Sequence, residues 1–130
     1  MIVLRNVSLG FTAGVIGGLG WFLGVWIAIK VGIIPPQMEA ALLGKATLYK
    51  QLVWGGAWGI LLAVPVLNGL WWLKGFIVGC LATAAAVFYF GAHLQWPAER
   101  IAMGVVLNGV FWGFAAGFWY WLVARDGGRR

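Results

Sequence analysis

The charged residues of this chain divide it into four long uncharged windows, and that spacing limits the available folds more than any other feature. Arg5 and Lys30 enclose 24 residues, Lys50 and Lys74 enclose 23, Lys74 and Glu99 enclose 24, and Arg100 and Arg125 enclose 24. An α-helix of about 20 apolar residues crosses the roughly 30 Å of bilayer hydrocarbon. An ionised side chain at mid-bilayer is costly, so charges collect at helix ends. Each window therefore holds one expected span. A chain of 130 residues that is 63% hydrophobic and only 9% charged, with a mean hydropathy of +0.94, is not a water-soluble domain. The expectation is an all-α membrane protein with one transmembrane domain over residues 1–130 and four transmembrane helices at about 7–29, 50–67, 73–94 and 101–123. The first window reads as a retained helix, because its apolar run is too long for a leader and no A-x-A-like site closes it.

The second span is the weakest. Pro65 and the turn pair Asn68-Gly69 close it early and leave it near the lower limit for crossing, unless Lys50 snorkels and the helix begins nearer Thr47. Ahead of it, Pro35-Pro36 stops helix 1, and Pro36 suits the first position of a new helix with Glu39 near its positive end. Residues 36–48 then read either as an interfacial segment that Gly44 redirects into helix 2 or as an extension of helix 2 standing in water. Short connections make the later helices antiparallel neighbours.

The 21 glycines are ordered. Gly10, Gly14 and Gly18 recur every fourth residue in helix 1. Helix 2 carries Gly55 and Gly59, helix 3 Gly75 and Gly79, and helix 4 Gly109, Gly113 and Gly117. Such seams let backbones approach in lipid, where no hydrophobic force drives helix onto helix, and they serve either a tight bundle or self-association. Helices 2 and 4 share W-G-x-A-x-G (Trp54 to Gly59, Trp112 to Gly117), and helices 1 and 3 share G-F-x-x-G (Gly10 to Gly14, Gly75 to Gly79). This pattern suggests two duplicated helical hairpins related by an axis along the membrane normal. The glycine-rich first helix running into Gly32-Ile33-Ile34-Pro35-Pro36, a short second helix, and Leu70-Trp71-Trp72-Leu73-Lys74-Gly75 leading the third together resemble uncharacterised bacterial inner-membrane proteins of the YagU type. The resemblance implies a bacterial four-helix membrane protein and brings no catalytic residues with it.

Little in the windows carries chemistry. Trp26, Trp54, Trp71, Trp72, Trp96, Trp119 and Trp121 lie near window ends and fit an aromatic belt. Trp21, Trp58 and Trp112 lie deeper, where each indole N–H needs a partner; they form either a wall for a hydrophobic ligand or plain packing against glycine and lipid. Glu39, His93 and Glu99 fall on one side, and with Asn108, two turns into helix 4, they are the candidate polar site. A single histidine and the single Cys80 offer no metal set. No catalytic triad, carboxylate pair or phosphate-binding loop occurs, so neither a reaction nor a cofactor is expected.

Nine basic residues against three acidic ones are scattered singly, a pattern of helix-end anchors and not of nucleic-acid contacts. Five of them share the side of the termini and four the other, which places both termini in the cytoplasm by the positive-inside rule. The expected role is a structural or accessory subunit of a homo- or hetero-oligomeric membrane complex, with membrane lipids as surroundings. A small transporter, an oligomeric channel, and a lipid or hydrophobic-cofactor binder are the alternatives.

Overall fold

The computed structural model describes residues 2–67, 69–91 and 97–127. Helix accounts for 88% of the structure, and no strand occurs among the described residues. The first helix, α1 (Ile2–Lys30), meets no proline before Pro35 and runs 29 residues. It stops where Gly32 takes φ +87°, a conformation that costs glycine little and other residues more. The Gly32 N–H then donates to Ile29 O at 3.2 Å and the Ile33 N–H to Ala28 O at 2.9 Å, the paired bonds of a Schellman cap. Lys30 lies at the negative end of the helix dipole, with its ammonium 5.8 Å from the Trp26 ring centroid.

A 3₁₀ turn (Pro36–Met38) and the single-turn α2 (Glu39–Leu42) follow. Within residues 36–48 the turn expected at Gly44 is where one helix gives way to the next. The chain breaks at Leu43-Gly44, and Gly44 is the extended N-cap of α3 (Lys45–Gly59). The hydroxyl of Thr47 donates back to Ala41 O at 2.5 Å and ties the two helices together. A 3₁₀ segment (Ile60–Ala63) prolongs α3. It ends because Pro65 drives the preceding residue out of the helical region, and Val64 accordingly has ψ 128°. The helix therefore starts about five residues earlier and stops about four earlier than the sequence suggests.

The next helix, α4 (Trp71–Ala86), passes into a π-helical stretch (Val87–Gly91). The last, α5, runs from Ala98–Val105 through a π-helical stretch (Val106–Trp112) into Gly113–Gly127, with Pro97 as its extended N-cap. Three stretches are long and apolar enough to cross a membrane, Val3–Lys30, Trp71–Tyr89 and Ala98–Ala124, consistent with an integral membrane protein. The α3 helix is not among them: it runs only 15 residues, and its first half carries Lys45, Thr47, Lys50 and Gln51.

Glycine contacts define the packing. A Cβ on Gly10 would lie 2.6 Å from Gly59 O, one on Gly14 would overlap Gly55 O, and one on Gly18 would lie 3.2 Å from Gln51 O, so α3 runs antiparallel along α1. Gly75 faces Gly113, Gly79 faces Asn108 and Gly109, and a Cβ on Gly117 would lie 2.5 Å from Trp71 O, which sets α5 antiparallel to α4. A second glycine row on α1, absent from the sequence expectations, joins the two pairs. Gly17 faces Trp112 and Ala116, a Cβ on Gly20 would lie 2.6 Å from Phe111 O, and Gly24 faces Phe111 and Leu107. The core among these helices contains Ala13, Val25, Leu62 and Ala116, all fully buried. Bulky side chains face outward instead: Leu19 and Leu23 on α1, Ile77 and Leu81 on α4, and Phe114, Phe118 and Leu122 every fourth residue on α5. By contrast, α3 and α4 barely touch.

Because backbone occupies the space a side chain would need at Gly14, Gly14→Val is expected to destabilise the bundle by about 2–3 kcal/mol. Gly69, with nothing within 4 Å of an added Cβ, is the control, and Gly69→Ala is expected to stay within about 0.5 kcal/mol. Unfolding in detergent followed by circular dichroism reads both.

Candidate functional site

Buried polar atoms must find partners wherever water is excluded, and their pairing limits what chemistry the helices can do. Asn108 lies in the π-helical part of α5, and its amide donates to Thr83 Oγ1 on α4 at 2.9 Å. The single hydroxyl proton of Thr83 is within reach of two carbonyls, Gly79 O and Gly104 O, each at 3.1 Å. Gly79 has no side chain, so the Asn108 backbone lies directly against α4. The wide turn, the glycine and the amide form one interhelical joint.

Trp112 is 3% exposed, and its indole N–H donates to Gly14 O across the bundle at 3.1 Å. Trp21 is buried in the same core and packs edge-on to Phe22 at 5.4 Å. Trp58 is only partly buried and meets Trp54 edge-on at 5.8 Å. These three rings line neither of the two cavities described below. Glu39 and Glu99 are exposed in the first turns of α2 and α5, at the end of the bundle opposite the start of α1. His93 lies outside the described residues, as does Asn68. Among the described residues no three His, Cys, Asp or Glu side chains come together.

The cation cluster lies at the other end. Lys74, in the first turn of α4, is 6% exposed. Its ammonium donates to Val64 O at 2.7 Å and lies 5.5 Å from the Tyr120 ring centroid. The side chain thus runs back toward the end of the bundle, as a snorkelling lysine does. Beside it opens a cavity of about 440 Å³, whose lining includes Arg5 and Asn6 from α1, Trp71 and Lys74 from α4, and Tyr120 and Trp121 from α5. Trp71 packs edge-on against Phe118 at 5.2 Å, and Phe118 stacks on Trp121 at 6.1 Å, so an aromatic strip leads from the cavity to the exposed face of α5. A second cavity of about 400 Å³, lined by Cys80, Thr83, Val87, Phe88, Ile101 and Val105, is almost wholly apolar.

Sequence reasoning used Arg5 and Lys74 as window boundaries and in the charge count of the two sides, and did not bring them together as a site. A signal for them existed: neither α1 nor α4 has an acidic residue in its first turn, and a cation there opposes the helix dipole. No family model, curated protein or solved structure matches the chain. The Thr83–Asn108 bond is expected to couple the two side chains by about 0.6–1.7 kcal/mol, measured as a double-mutant cycle of Thr83→Val and Asn108→Leu on unfolding in detergent.

Proposed function

We propose that the chain is a four-span integral membrane protein that serves as a structural or accessory subunit of a membrane complex and carries out no reaction of its own. The single observation that carries this reading is the backbone-close packing of the helices. Backbone-level glycine contacts close three of the four helix interfaces, and the polar groups of Thr83, Asn108 and Trp112 bond to neighbouring helices. The outward surface is bulky and apolar, suited to lipid and to other membrane helices.

In this reading α3 is the fourth span. Fifteen α-helical and four 3₁₀ residues rise roughly 30 Å, about the thickness of bilayer hydrocarbon, and α3 lies along α1 for that length. The two antiparallel pairs, α1 with α3 and α4 with α5, are then the related hairpins that the repeated motifs suggest. Gly75 faces Gly113 where motif matching to Gly10 and Gly59 would pair it with Gly117, a slip of one turn. We place the protein in a bacterial inner membrane on its YagU-type resemblance, with the cation-richer end and both termini in the cytoplasm. Other membrane subunits or further copies would seat where α3 and α4 barely touch.

Mass analysis of the intact protein from mild detergent tests the subunit reading. A defined assembly larger than 14.1 kDa is expected, and a lone monomer without any partner would overturn it. A transporter or channel would need a polar path between subunits. That reading requires flux sensitive to Glu39→Gln, Glu99→Gln or Asn108→Leu, and the subunit reading expects no flux to change.

A further inference from the structure

We infer that the cavity between the start of α1, α4 and the last turns of α5 binds a phosphate oxyanion, carried on the headgroup of an anionic lipid. Four observations converge on it. Arg5 and Lys74 bring two cations to one cavity, and a guanidinium fork matches the oxygens of a phosphate. Asn6 and Tyr120 stand in the same lining and add an amide and a phenol as neutral donors. Both cations lie in the first turns of their helices, where each adds to the positive dipole end, so an anion between them relieves repulsion from both sources. The volume of about 440 Å³ lies within the range of small-molecule sites and accommodates a phosphodiester headgroup.

Depth and surroundings favour a lipid as the source of that phosphate. Lys74 is the fourth residue of α4, roughly 5 Å from the helix start, which is headgroup level for a helix that begins at the bilayer surface. The strip of Trp71, Phe118 and Trp121 leaves the cavity along α5, and Phe114 and Phe118 are exposed beyond it. A ligand with its phosphate between Arg5 and Lys74 can lay an acyl chain on that strip. Free phosphate would make no use of it.

The full chain in nanodiscs tests the site. Phosphatidylglycerol, phosphatidylcholine and inorganic phosphate are the probes, and lipid retained on the released protein is read by native mass spectrometry. Retention of phosphatidylglycerol over phosphatidylcholine is expected, falling about fivefold in Arg5→Gln and further in Lys74→Gln. Arg5 is exposed, so its variant reports on binding even if Lys74→Gln, which loses the bond to Val64 O, fails to fold. Displacement of the lipid by millimolar inorganic phosphate would keep the phosphate site and make its source a soluble ion. Equal retention of both lipids, unchanged in Arg5→Gln and insensitive to phosphate, would overturn the proposal.

Discussion

Backbone contact along α1 is the constraint on which the rest of the structure depends. Gly10, Gly14 and Gly18 admit α3 on one flank, and Gly17, Gly20 and Gly24 admit α5 on the other. In lipid no water is released when apolar helices meet, so association rests on close packing and interhelical hydrogen bonds. A side chain on either flank would hold the helices apart and forfeit the dispersion contacts that decay steeply with separation. The bulky residues are displaced outward as a consequence. Leu19 and Leu23 project from the same helix that carries both glycine rows.

Such closeness also decides what happens to the polar groups. The indole of Trp112 reaches Gly14 O because α1 presents backbone there and no side chain. Asn108 reaches Thr83 because Gly79 lets α5 lie directly on α4. The π-helical stretch around Asn108 belongs to the same joint: widening a turn redirects a side chain and changes the backbone pattern at little cost when a neighbouring helix accepts the freed groups. Polarity inside the bundle is thus spent on cohesion. Polar side chains border open space at the end where Arg5, Lys74 and Tyr120 line one cavity.

Much of the fold was legible because spacing alone carries it. Charge intervals of 24 residues locate the three helices long and apolar enough to cross a membrane, and the i, i+4 glycines mark the faces that meet. Pro35 and Pro65 mark where helices cannot continue. Less was legible at the ends of elements. Gly44 marked the turn into the second span, but the start of α3 at Lys45 depends on Gly44 capping and on Thr47 reaching Ala41 O, local geometries without a periodic signature. The row Gly17, Gly20 and Gly24 escaped because its intervals of three and four do not repeat. The cavity escaped for a different reason: its lining residues lie more than a hundred positions apart in the chain, and their convergence is a property of the bundle.

The sequence by itself determined that this chain is helical and suited to a membrane, since apolar runs broken by charges at regular intervals leave a bilayer as the one solvent that satisfies both the side chains and the hydrogen-bonded backbone. Only the tertiary structure decided which small residue meets which helix, which partner receives each buried amide and indole, and that Arg5 and Lys74 converge on one cavity. Hydropathy is additive along a chain and can be read from it, whereas contact between helices depends on register and rotation, which a slip of one turn changes without altering any residue.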